Sequence, residues 1–276
     1  MIKDIVVNLA LGGTRDGARD YAVSVAAAFN AHLTGVAFSY EPFVPGTIFD
    51  SYTASLAEKL RAENEKAATA ATEEFNEVVR KNALSGEPRI ASTSLAESPD
   101  VFARIARRHD ISIVAQTKPQ SEFPDDLIIE AALFNSGRPV LVVPYIQSAS
   151  LKLDRILVCW DGSRSAARAI SDAMPFLERG KDIEIITVAV NDDRRDEIPG
   201  ADMAQHLARH NLKVDLKRVV SPDIEASDTI LSYAADCAAD LIVMGGYGHS
   251  RLREIVLGGV TRGLLSSMTV PTLMSH

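Results

Sequence analysis

One series of short apolar segments occurs twice in this chain, each time alternating with helical patterns in the same order. In the first half, residues 5–9 (IVVNL) lead into an alanine-rich helical pattern at 15–29 and an alternating run at 32–39. In the second, residues 155–160 (RILVCW) lead into a helical pattern from about 164 to 177 and then 183–190 (IEIITVAV). Farther on, 99–108 followed by 110–115 (DISIVA) matches 224–238 followed by 240–244 (DLIVM). Both halves close on a short apolar segment introduced by proline, 138–144 (RPVLVVP) with Pro139 and 270–274 (VPTLM) with Pro271. A long charged helix at 53–84 has a shorter counterpart at 201–210, and short third strands are expected at about 89–94 and 216–220. Such self-similarity is the mark of a duplicated unit.

Strands rich in Val, Ile and Leu that alternate with helices belong to parallel sheets, where both faces are covered and each crossover is right-handed. The expected fold class is therefore α/β: two tandem doubly wound domains, each a five-stranded parallel sheet with helices on both faces. Residues 1–146 and 153–276 are the expected domains, joined where 145–152 (YIQSASLK) loses its periodicity and gains small polar residues. The last strands, 140–143 and 272–274, are candidate exposed edges. If they cover each other, the two domains pair within one chain. A homodimer of such chains is left open.

The chain has 276 residues, 46% of them hydrophobic, which is enough for two real cores. A net charge of -8 and a pI near 5.3 argue against a nucleic-acid partner, which requires concentrated Lys and Arg. No apolar run reaches bilayer-spanning length, so no membrane partner is expected. Residues 5–13 imitate the core of a secretory leader, but Asp4 precedes them and a helical pattern follows, so they read as the first strand. The two cysteines, Cys159 and Cys237, are too few and too far apart for a disulfide framework, and read as core thiols of a cytoplasmic protein. His206 and His210 stand four apart on a helical pattern but have no third ligand in sequence, so no metal site is expected.

The densest chemical signal follows the apolar run 241–244. Gly245, Gly248 and Gly258 form G-x-x-G, nine residues, then G. Glycines leaving a parallel strand let anions approach bare amides, which makes the segment a candidate phosphate cradle. The turns after strands one and four of a doubly wound sheet face one crevice, and this brings Asp161 near the glycines. Each residue also has a plainer reading. The glycines can serve packing alone, Asp161 can cap the helix that begins near Ser163, and Arg251 and Arg253 can lie on a solvated face. His249 is a further candidate counter-charge.

Taken together, the glycine segment, WDGSRSAARAI at 160–170, ITVAV at 186–190 and the strand order resemble the universal stress protein family. The resemblance extends over nearly the whole chain as a tandem pair, more strongly in the second half. It implies that Asp161 contacts the nucleoside part of ATP or another adenine nucleotide, and that Val188 supports adenine through its backbone. Gly245, Gly248 and Gly258 would then hold the phosphates, helped by His249 and by the amides of Gly259, Val260 and Thr261 at a helix start, with magnesium an optional companion. The family usually has Ser or Thr where this chain has Gly259; Thr261 or Arg262 could compensate.

The first half lacks this machinery. Ala10 stands at the place of Asp161, Ala115 and Lys118 at glycine positions, and Asp125 and Asp126 put negative charge before the last helix. Its loop at 41–52 carries Phe43, Val44, Ile48, Phe49 and Tyr52, expected to plug its own core or else to line an apolar pocket. The resulting expectation is a stress-response protein whose C-terminal domain binds an adenine nucleotide and acts as a binding or regulatory module. Two alternatives stand beside it: a slow ATPase or adenylyl-transferring enzyme, and a structural pseudo-dimer without nucleotide. Against the enzyme, the chain lacks G-x-x-x-x-G-K-[ST], S-G-G-x-D-S and H-x-G-H elements, and shows no placed general base.

Overall fold

The computed structural model describes residues 1–12, 15–42, 51–118, 123, 125–189, 200–221, 224–246 and 259–276. The chain forms two compact units, Met1–Arg138 and Pro139–His276. The apolar cluster expected at Phe43, Val44, Ile48 and Phe49 lies outside the described residues.

In unit 1, β1 (Asp4–Asn8), α1 (Gly17–Phe29), β2 (His32–Tyr40), α2 (Ser51–Lys81), β3 (Gly86–Thr93), α3 (Ser98–Ala106), β4 (Ile111–Ala115) and α4 (Asp125–Asn135) follow one another. The strands lie in the order β3-β2-β1-β4, all parallel. Since β1 is central, both its faces are covered: Ile5, Val6 and Val7 are wholly buried. That is why it reads as an unbroken apolar run rather than an alternating one. Contacts of α1 with α2, and of α3 with α4, fit right-handed crossovers that place one pair on each face.

Unit 2 begins with β5 (Val140–Val143) and continues through β6 (Arg155–Cys159), α5 (Arg164–Leu177), β7 (Asp182–Ala189), α6 (Ala201–Arg209), β8 (Val214–Val220), α7 (Ala226–Asp236), β9 (Leu241–Gly245), α8 (Gly259–Ser267) and β10 (Thr272–Ser275). Its strand order is β5-β10-β9-β6-β7-β8. All neighbours are parallel except β5 and β10, which run antiparallel with Val140 opposite Met274 and Val142 opposite Thr272. The two expected edges do cover each other. The strand that closes the first repeat in sequence is thus grouped with the second unit.

The repeat is also visible in detail at the amino ends of the sheets. Asp110 Oδ2 accepts the amides of Lys3 (2.7 Å) and Asp4 (3.1 Å), and Asp240 Oδ2 accepts those of Asp154 (3.0 Å) and Arg155 (3.0 Å). In both units one carboxylate thus satisfies the first backbone donors of the central strand, which no neighbouring strand reaches.

Candidate functional site

The candidate site of unit 2 lies beyond the carboxyl ends of β6, β7 and β9. The central strand β6 stops at Cys159, and the amide of Trp160 makes one further bond to the Ile186 carbonyl, at 2.9 Å. The chain then turns through Asp161 and Gly162. Gly162 has φ +77, a left-handed conformation that suits a residue without a β-carbon. Asp161 is exposed, and its Oδ1 accepts the Ser163 amide at 2.9 Å, an Asx turn that fixes the carboxylate at the mouth of the crevice. Capping of α5 falls to Ser163, whose hydroxyl accepts the Ala166 amide at 3.1 Å. The alternative role expected for Asp161, that of helix cap, therefore belongs to the residue two positions on.

Along β7 the hydrogen-bonding groups alternate between the two neighbouring strands. The Ile186 carbonyl faces β6, and the Ala189 carbonyl accepts the Ser221 amide at 2.9 Å on the β8 side. By that alternation the amide and carbonyl of Val188 are directed to the β6 side, beyond the point where β6 has ended. Val188 itself is half-buried. Trp160, Thr187 and Leu216 gather around Gly200, the N-cap of α6, where a β-carbon would come within 3.3 Å of Trp160 Cδ1, 3.4 Å of Thr187 Cγ2 and 3.1 Å of Leu216 Cδ1. The Thr187 hydroxyl is buried and makes no hydrogen bond among the described residues. Neither Trp160 nor Thr187 was a sequence candidate; the adjacency of Trp160 to Asp161 was the available signal.

Gly245 ends β9 against the first turn of α5. A β-carbon there would fall 2.5 Å from the Ala166 amide nitrogen and 2.7 Å from Ser165 Oγ. The packing reading of this glycine is therefore satisfied by the structure on its own. Gly246 then donates its amide to Ser275 O at 2.8 Å and accepts from His276 Nδ1 at 3.0 Å, which ties the exit of β9 to the end of β10. Gly248, His249 and Gly258, and with them Arg251 and Arg253, lie outside the described residues.

α8 starts at Gly259, which is exposed and, among the described residues, would meet nothing within 4 Å if it carried a β-carbon. Val260 is half-buried and Thr261 only 3% exposed, while Arg262 is exposed. Of the two residues expected to compensate for the missing hydroxyl, Thr261 is packed into the unit and Arg262 remains available. The amides of the first turn have no partners inside their own helix and are suited to an anion.

Cys159 ends β6 beside this turn. Burial, with the charge of Asp161 adding to it, pushes its thiol up to about 12. Both cysteines are free and half-buried as residues, and burial raises the Cys237 thiol as well. His206 and His210 pack edge to face with centroids 4.9 Å apart. Among the described residues no group of three His, Cys, Asp or Glu side chains could hold a metal, and no helix is long and apolar enough to cross a membrane.

Comparison with known proteins places these features. Residues 152–276 match the model of the Universal stress protein family. The universal stress protein Slr1230 of Synechocystis sp. is 28% identical over 147 residues, 52% of this chain and 49% of that protein, so the match spans about half the length of the curated relative. A universal stress protein from Archaeoglobus fulgidus DSM 4304 superposes with a TM-score of 0.68 at 15% identity, covering 98% of this chain and 97% of that one. A functionally unknown protein from Pseudomonas aeruginosa PAO1 gives 0.62 at 14% identity, covering 99% and 92%. At such identities the structural likeness speaks for the fold, and the likeness runs the length of the chain. It is in residues 152–276 that the chain is similar in sequence to the universal stress protein family.

Proposed function

We propose that unit 2 binds an adenine nucleotide and serves as a nucleotide-dependent binding or regulatory module. What supports this reading is that three different groups lie at the carboxyl ends of β6 and β7 and at the start of the helix that follows β9. A fixed, exposed carboxylate at Asp161 suits ribose hydroxyls. The main-chain amide and carbonyl of Val188, left beyond the end of β6, suit the donor and acceptor edge of adenine. The opening amides of α8, from Gly259 to Thr261, suit phosphate oxygens. Gly245, Gly248, His249 and Gly258 complete the set of residues assigned to the ligand.

Isothermal titration of the whole chain with ATP, ADP and AMP tests this reading. Saturable heat that is reduced in Asp161→Ala is the expected result. Absence of heat from all three nucleotides, with the protein shown to be folded, would remove it.

A further inference from the structure

α6 packs on β8, the last strand in the order of its sheet, through a narrow seam. Leu207 is its buried residue, and Met203 and Ala204 are half-buried one turn earlier. Gln205, His206, Ala208, Arg209 and the C-cap His210 are all exposed. Most of the helix circumference therefore meets solvent.

His206 and His210 stand one turn apart on that open side. Residues four apart on a helix have β-carbons about 5–6 Å apart, and here the two rings meet edge to face, with centroids 4.9 Å apart and planes inclined by 67°. Among the described residues neither ring has a hydrogen bond or an ion pair. The other described histidines are engaged: His32 Nδ1 with Ser85 Oγ at 2.7 Å, His109 Nδ1 with Ile105 O at 2.9 Å and His276 Nδ1 with Gly246 O at 3.0 Å.

Two imidazoles so placed form a chelating pair for a borderline cation such as zinc, which takes nitrogen ligands at about 2.0–2.1 Å. In a tetrahedral shell two such nitrogens lie about 3.4 Å apart. Rings already in contact reach that spacing by turning about their Cβ–Cγ bonds. One pair is still only half a shell, since structural zinc takes four protein ligands. Asp202, one turn before His206, has its Oδ1 engaged by the Met203 amide at 2.8 Å, and no third His, Cys, Asp or Glu joins the two rings among the described residues. The missing half must come from outside this chain.

The charge pattern of α6 points to its source. The first turn is acidic, through Asp202, and the last turn basic, through Arg209. A second copy of the helix laid antiparallel across the first sets the acidic start of each against the basic end of the other, and opposes their dipoles favourably. A two-fold axis near Ala208 brings His206 of each copy opposite His210 of the other, because such a contact uses the same patch twice. Four imidazoles then converge on one point.

We propose that one zinc ion is held between two copies of this chain by His206 and His210 of each, with the two α6 helices antiparallel. Each chain has a formal charge of -8, so the cation also lowers the repulsion that opposes pairing. The site is independent of any nucleotide in unit 2.

The test uses the full chain without an affinity tag, stripped of metal by a chelator and kept free of nucleotide. On addition of zinc chloride, sedimentation velocity should show the particle mass at least double, with one zinc bound per two chains, and excess EDTA should reverse the change. Cobalt(II) in place of zinc should develop the intense visible absorption of a tetrahedral site. Magnesium, which demands octahedral oxygen ligands, should leave the mass unchanged. His206→Asn and His210→Asn should each raise the zinc concentration required at least about tenfold, whereas His32→Asn should not. Arg209→Glu, which sets acid against acid twice across the two-fold, should weaken the association about threefold or more. These α6 positions are exposed, so thermal unfolding of the variants without zinc should match the parent. No rise in mass with zinc, one zinc per chain at constant mass, an equal response to magnesium, undiminished association in both α6 histidine variants, or an unchanged response in Arg209→Glu would each overturn the proposal. ATP titration of the same variants without zinc reads the nucleotide site separately.

Discussion

Gly245 approaches Ala166 so closely that a β-carbon on the glycine would stand 2.5 Å from the alanine's amide nitrogen. The obstacle is backbone in the first turn of α5, which cannot rotate aside. Gly245→Ala should therefore destabilise unit 2 by about 1–3 kcal/mol, as overpacking does. Gly259→Ala, made where no atom of the described residues lies within 4 Å, should stay within about 0.5 kcal/mol. Denaturant midpoints of the two variants, compared at equal slope, decide the matter.

Asp161 holds the turn with one oxygen and presents its charge to the crevice. Asp161→Asn keeps an acceptor for the Ser163 amide but removes the charge, so stability should change by less than about 0.5 kcal/mol. Loss of a charged hydrogen bond to the nucleoside should still lower ATP affinity about tenfold or more. Calorimetric binding alongside thermal unfolding separates the two effects. Parallel loss of both would mean that the residue serves the fold alone.

The open space at Gly259 makes an added side chain informative. Gly259→Ser supplies a hydroxyl at the start of α8 without displacing a neighbour. One well-made hydrogen bond contributes about 1 kcal/mol, so nucleotide affinity should rise about fivefold. A Gly259→Ala control should show no gain. An equal gain in both variants would trace the effect to backbone rigidity rather than to the hydroxyl.

Cys159 offers a readout of charge at the same turn. With its thiol pushed up to about 12, the thiolate fraction at pH 8 is about a thousandfold below that of an ordinary cysteine. Alkylation should be correspondingly slow and should accelerate with pH towards that value, because only the thiolate reacts. Burial is the larger cause and Asp161 the smaller, so Asp161→Asn should speed alkylation only modestly. Mass spectrometry of the Cys159 peptide over a pH series would show it; rapid labelling at pH 8 would contradict the buried position.

Sequence periodicity located the strands well where both faces are buried, as in β1, β4, β6 and β9, because continuous burial leaves an unmistakable apolar run. It was weaker at β3, expected at about 89–94 and found at Gly86–Thr93, where Glu87, Pro88 and Arg89 on the sheet edge are exposed and leave no such run. α2 spans Ser51–Lys81 against the expected 53–84, the ordinary imprecision of a frayed helix end. At the site, the turn through Asp161 was legible from its acid, glycine and serine. Its division of labour was not, since whether Asp161 or Ser163 caps α5 depends on backbone angles that composition does not encode. The reason for Gly245 was hidden too, because the atoms that forbid a β-carbon belong to a helix far away in sequence. Thr261 looked available at a helix start and proved to face the interior, a matter of helix rotation that a nine-residue pattern determines poorly.

Because β5 is counted with the second unit and zips antiparallel onto β10, the sequence period and the physical module are out of step. Scissors placed at the apparent seam would strip β10 of its flanking ladder and leave an adhesive rim of Thr272, Leu273 and Met274 seeking another strand. Any autonomous fragment carrying the candidate crevice should accordingly be cut ahead of Pro139, with the borrowed strand travelling alongside the half that uses it.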